Sequence, residues 1–224
     1  MSADEQPPGK SYDAHTKDFY QDQAAAGTYA RRQHWRGSPV EWLVGRLEIR
    51  QVTAGLALLG PGITSVLDLP AGSGKLTGLL TKRFPRYVAA DISREMMDLI
   101  PFDVQKARAD VTAMPFADHS VDLVVILRLL HRVPEDVALG GIAEALRVAR
   151  RGVIVSYASF PRSAAAHSAT RASSGRVENW MTQFTPGDLA KHVTSLGGSV
   201  LRDRSISGGL TTERVATLRP AARP

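Results

Sequence analysis

From Pro39 to about Leu59 the apolar residues Val40, Leu43, Val44, Leu47, Val52 and Leu56 recur at near-helical spacing. That spacing places them on one face of a helix. Pro39 suits its first turn, and Gly60-Pro61-Gly62 ends it. The pattern then shortens and alternates. Ser65 to Leu69 is a compact apolar run before a glycine-bearing turn, and Leu76 to Phe84 reads as a helix. Tyr87 to Ala90 is a second apolar run ending at Asp91, and Ser93 caps a helix reaching about Ile100. Gln105 to Ala109 is a weaker strand ending at Asp110. Val121 to Leu127 is almost wholly apolar, as expected of a strand covered on both faces. Asp136 to Arg150 reads as a helix and Gly152 to Tyr157 as a fifth buried strand.

Strand and helix alternating at this spacing predict an α/β doubly wound sheet. The C-terminal part departs from it. Thr185-Pro186-Gly187-Asp188 opens a helix ending near Leu196-Gly197-Gly198. Ser199–Ile206 and Thr211–Leu218 are two strands joined by Ser207-Gly208-Gly209, which predicts an antiparallel hairpin. The expected fold is therefore a Rossmann-like, seven-stranded, mostly parallel sheet with an antiparallel last strand. Residues 1–10 read as a flexible tail and 11–59 as a helical cap. Residues 60–220 read as the core, with a variable basic segment at 159–178.

Composition narrows the chemistry. Hydrophobic residues make up 43% and charged residues 22% of the 224 positions, an ordinary globular mix. Cysteine is absent, which excludes disulfides, thiolate metal sites and a cysteine nucleophile, and fits a cytoplasmic protein. The first ten residues lack an apolar core and do not read as a secretory signal. No apolar run is long enough to span a membrane. The six histidines show no metal-ligand spacing, so no metal is expected. The net charge of +6 resides in residues 151–224, where ten basic side chains face four acidic ones. That skew suits an acidic partner, or equally an arginine-rich solvated surface.

The turn Asp68-Leu69-Pro70-Ala71-Gly72-Ser73-Gly74 follows the first strand. Its small residues let a ligand approach the backbone. Asp91 ends the second strand, where a carboxylate can accept both hydroxyls of a ribose, and Asp110 ends the third. Each feature alone is commonplace: a Gly-x-Gly is usually a turn, and a strand-end Asp is usually a helix cap. Together they put three carboxylates at successive carboxyl ends of a parallel sheet, where such folds bind ligands. Asp68, just before the glycines, would repel a pyrophosphate but suits an ammonium group.

These stretches resemble the class I S-adenosylmethionine (SAM)-dependent methyltransferases. The nearest subgroup is the small bacterial type similar to ubiquinone/menaquinone-biosynthesis enzymes. The matching segments are 66–74 (VLDLPAGSG), 89–97 (AADISREMM), 109–124 (ADVTAMPFADHSVDLV), 129–133 (LLHRV) and 185–189 (TPGDL). The resemblance covers about residues 60–218. It implies that Asp68 holds the methionyl ammonium and that Ala71, Gly72 and Gly74 line the methionine moiety. Asp91 would bind the ribose diol, with Ile92 and Met96 packing on adenine. Asp110 and Val111 would bind the adenine amino group and ring nitrogen, and the backbone at Leu127 and Arg128 would face the methionyl group. An N-terminal Tyr29, Arg31 or Arg32 is a candidate for the carboxylate. One residue departs from the pattern: Pro70 stands where glycine is usual, and it cannot donate a backbone N–H. A reshaped turn that still binds SAM is expected.

Methyl transfer needs alignment and sometimes a base. His131, after the fourth strand, is a candidate base, or merely shapes its loop. Arg128 is a candidate to hold an acidic acceptor, or pairs with a carboxylate. Arg162 and His167 lie in the segment without acidic residues at 159–176, which reads as a basic lid or as an exposed loop. Tyr20 and Tyr29 belong to an N-terminal aromatic set that closes the opposite side or forms a small core of its own. The expected activity is methylation of an O, N or C atom of a small, anionic acceptor in specialised metabolism, by a monomer or homodimer with SAM as cofactor and S-adenosylhomocysteine (SAH) as its product. RNA- or protein-directed methylation and a non-catalytic SAM-fold binding protein are the alternatives, so nucleic acid is an unfavoured but open partner. A nicotinamide-dependent oxidoreductase fits less well, because Asp68 precedes the glycines.

Overall fold

The computed structural model describes residues 39–159, 182–208 and 211–221. The expected tail at 1–10 and the cap at 11–38 lie outside the described residues. So do residues 160–178 of the basic segment, with Arg162 and His167.

The helix over Pro39–Leu59 (α1) forms as its periodicity predicts. Its first turn is exposed and the rest packs inward: Val40 and Leu43 are 67% and 48% exposed, whereas Val52 and Leu56 pack into the core. There follow β1 (Ser65–Asp68), α2 (Thr77–Leu80), β2 (Arg86–Asp91), α3 (Arg94–Asp98), β3 (Gln105–Arg108) and β4 (Val121–Ile126). Then come α4 (Glu135–Val148), β5 (Ala149–Ala158), α5 (Pro186–Ser195), β6 (Ser199–Ser205) and β7 (Glu213–Arg219). The sheet order is β3-β2-β1-β4-β5-β7-β6. The pairs among β1 to β5 are all parallel, while β7 runs antiparallel to both β5 and β6. The sheet is the mostly parallel, doubly wound one expected from sequence, with a reversed last strand.

The central strands β1, β4 and β5 bury both faces. On one, Val66, Leu123, Val125 and Ile154 pack against Val52, Leu56 and Leu59 of α1 and Leu80 of α2. On the other, Val124, Ile126, Val153 and Val155 pack against Ile142 of α4 and Leu189 and Val193 of α5. Gly55 lets α1 lie close to the sheet: a Cβ there would come within 2.5 Å of Thr217 Oγ1.

Two expected boundaries shift. The helix expected over 76–84 shrinks to Thr77–Leu80, where the Thr81 hydroxyl donates back to the Thr77 carbonyl (2.7 Å) and the chain continues as turns. The helix expected through Arg150 stops at Val148, because Ala149 already pairs with Val121. Arg150 then bonds the Asp122 carboxylate (3.2 Å) and the His119 carbonyl (2.6 Å). Tertiary pairing here overrides helix propensity. Among the described residues no helix is long and apolar enough to cross a membrane.

Candidate active site

The carboxyl ends of β1, β2, β3 and β4 open into one cavity. Asp68 closes β1 and is buried. Its Oδ2 accepts a hydrogen bond from Tyr87 Oη (2.9 Å), and Tyr87 Oη lies 2.9 Å from Thr77 Oγ1. Burial pushes the Asp68 carboxyl up to about 7; the Tyr87 bond opposes the shift and the Asp91 charge adds to it. Burial likewise pushes Asp91, at the end of β2, up to about 6. Its two oxygens accept the backbone N–H groups of Ser93 (3.0 Å) and Gly72 (2.8 Å), which hold the carboxylate against the glycine turn and favour its charged form. Ser93 in turn caps α3, accepting the Met96 N–H at 3.1 Å. Asp110 Oδ1 accepts from the Thr112 amide (2.9 Å) and hydroxyl (2.8 Å).

The turn itself has left-handed backbone at Gly72 (φ +53°) and Gly74 (φ +87°). A Cβ at Gly74 would come within 3.0 Å of Ile100 and Thr77, so that glycine serves the turn's packing. The Leu69–Pro70 peptide is cis, and the Ala71 amide donates to the Ala90 carbonyl at 2.8 Å.

Of the residues singled out from sequence, Asp68, Ala71, Gly72, Asp91, Ile92 and Met96 line this cavity. Asp110, Val111, Leu127 and Arg128 line it too, whereas Gly74 and His131 are not among the lining residues. Tyr20, Tyr29, Arg162 and His167 lie outside the described residues. Arg132 Nε–H donates to His131 Nε2 (3.3 Å), so the single proton of the neutral ring lies on Nδ1. Burial, and then the charges of Arg132 and Arg128, push the imidazole down to about 4.

A second group of charges joins Arg128, read from the sequence as holding an acidic acceptor or pairing with a carboxylate, to three residues the sequence reading did not single out. Glu48 of α1 is fully buried and pairs with the Lys75 ammonium. Its two oxygens also accept from Arg128 Nε, at 3.2 and 3.0 Å. Glu213 of β7 lies 4.0 Å from both Arg128 Nη2 and His131 Nε2. Arg128 has left-handed backbone (φ +59°), and its amide donates to Ser156 Oγ at 2.7 Å. Glu48 lies in register with Val44, Val52 and Leu56, on the stripe that the apolar pattern assigns to the core. A carboxylate on that stripe was the available signal.

A family model described as a methyltransferase domain matches residues 67–156. Demethylmenaquinone methyltransferase of Mycobacterium sp. (strain JLS) is 30% identical over 196 residues, which covers 76% of this chain and 83% of that protein. The chain belongs to the class I SAM-dependent methyltransferases. Magnesium protoporphyrin IX methyltransferase from Synechocystis PCC 6803, solved with SAH bound, shares the methyltransferase fold at a TM-score of 0.72. It is 18% identical, over 92% of this chain and 98% of that one.

The methyltransferase's cofactor is SAM, and the donor set of the cavity fits it. SAM carries an ammonium, a ribose diol and an adenine amino group, and the cavity offers a carboxylate at each of three strand ends. Apolar Ile92, Met96 and Val111 stand beside two of them. Bound SAM supplies an electrophilic methyl group on a sulfonium. The chain's part is to hold its ligands in line and to keep water from the cavity.

Proposed function

We propose that the enzyme methylates an O, N or C atom of a small organic acceptor that enters beside the end of β4. The observation that carries this reading is the cavity wall made by Leu127, Leu129 and Val133, which continues the cofactor cavity as an apolar surface. Such a wall suits a ring or aliphatic body. The 30% identical Mycobacterium protein, whose name specifies a demethylmenaquinone acceptor, supports a small apolar substrate. The cavity roles of Asp68, Asp91 and Asp110 follow the same reading: ammonium, ribose diol and adenine amino group respectively. Arg128 is engaged by Glu48, so an anionic acceptor would find its charge partners elsewhere, with Arg162 and His167 of the basic segment as candidates.

With His131 accepting from Arg132, the reading favours catalysis by alignment, with the acceptor's proton leaving to solvent or the acceptor entering already ionised. The test is SAH release during incubation with SAM and a panel of phenols, quinols, amines and small carboxylic acids, with bulk tRNA and a protein extract as comparison arms. Turnover with a small molecule is expected. Turnover confined to RNA or protein would overturn the proposal.

A further inference from the structure

Asp68 enters the glycine turn and Lys75 leaves it, and both side chains reach the cavity. Opposite charges on the two limbs of one turn match an α-amino acid, whose ammonium and carboxylate sit on the same carbon. Three cationic side chains line the cavity: Lys75, Arg128 and Arg132. Arg132 bonds the His131 ring, and Arg128 Nε bonds both oxygens of Glu48. Lys75 differs. Its ammonium has three N–H donors, and Glu48 is the carboxylate that takes one of them. Its side chain is only 13% exposed. With Glu213 4.0 Å from Arg128 Nη2, the charges of Glu48, Lys75, Arg128 and Glu213 balance, and the Lys75 ammonium keeps N–H donors beyond the one that Glu48 takes.

We propose that Lys75, aimed by the buried Glu48, is the cation that receives the carboxylate of the cofactor's methionyl group. Glu48 is then a positioning residue. It sits on α1, outside residues 67–156 matched by the methyltransferase-domain model, and ties that helix to the cofactor. Burial lowers the Lys75 pKa and Glu48 counters it, so the carboxylate of Glu48 also keeps the ammonium charged. The inference concerns the cofactor and stands apart from the identity of the acceptor.

The test is calorimetric titration of the full chain with SAH and with its decarboxylated analogue, S-adenosyl-3-thiopropylamine, which keeps the ammonium and lacks the carboxylate. Wild type should bind the analogue about tenfold to a hundredfold more weakly than SAH, the range for a charged hydrogen bond. Lys75→Met should weaken SAH by a similar factor and leave the analogue within about twofold, because it removes only the carboxylate's partner. Lys75→Arg, which keeps the charge, should retain most of the discrimination. Glu48→Gln should shrink the ratio of the two affinities, whereas a purely structural role would weaken both ligands alike. Equal weakening of both ligands in Lys75→Met, or a wild type that does not distinguish them, overturns the proposal. A wild type that binds neither ligand overturns the cofactor site itself, a separable result.

Discussion

The two ends of the cavity are built on different principles. At the β2–β3 end, Asp91 and Asp110 are held by amides and hydroxyls a few residues away, apart from the Gly72 amide. At the β1–β4 end, Glu48, Lys75, Arg128 and Glu213 arrive from α1, the glycine turn, β4's exit and β7. The first end is a property of strand–turn–helix units. The second exists only once the whole sheet is assembled. Local construction gives a preformed ligand site, and non-local construction gives one that reports on tertiary packing.

Breaking the local end should have the largest effect on binding. Asp91→Ala removes the acceptor proposed for the ribose and leaves the Gly72 and Ser93 amides unpaired. SAH affinity measured by calorimetry should fall by at least about a hundredfold, while the unliganded fold persists. Breaking the non-local end should show first in stability. Glu48→Leu leaves Lys75 and Arg128 buried without their carboxylate, a loss of about 3 kcal/mol or more. The melting temperature should drop by about 10 °C.

A pH series sharpens the comparison. Asp68 and Asp91 have folded pKa values raised to about 7 and about 6, above the ordinary carboxylate value of 3.8. In that window the folded state holds protons that the unfolded chain has lost. Unliganded stability should therefore fall as pH rises from about 4 to 7. Both carboxylates are needed ionised for the ammonium and the ribose, so SAH affinity should rise over the same interval. Opposite slopes in melting and titration are the signature, and parallel slopes would contradict it. Tyr87→Phe removes a bond that favours the Asp68 charge and should move the affinity profile to higher pH. The smallest effect is expected from His131→Asn: less than about tenfold in kcat, set by lost packing rather than a lost base. A loss beyond a hundredfold with KM unchanged would restore His131 as the proton acceptor.

The sequence revealed the local end well for a physical reason. Asp68 and Asp91 each close an apolar run, Asp110 follows the weaker, polar strand Gln105–Arg108, and strand ends of a parallel sheet share one crevice by geometry. Ser93 as a cap and Thr185 with Asp188 as a capping box were legible because their partners lie within three residues. Glu48 was not, since nothing near it in sequence announces Lys75 or Arg128. The same limit explains the shifted boundaries. Arg150 reads as helical until Asp122, 28 residues earlier, takes its guanidinium. Val40 and Leu43 extend the apolar stripe of α1, yet both stay exposed at its start. For His131, position alone does not show that Arg132 Nε–H donates to its Nε2.

The place of β7 carries a consequence for biogenesis. It is the last described strand in the chain, yet it is hydrogen-bonded between β5 and β6 rather than added at a margin. A nascent chain that has not yet delivered Glu213–Arg219 therefore presents two open strand edges, one on the buried centre of the sheet. Such edges invite pairing with other chains. Closing them brings Glu213 to Arg128 in the same step, so the enzyme's solubility and the completion of its ionic cluster depend on one late insertion.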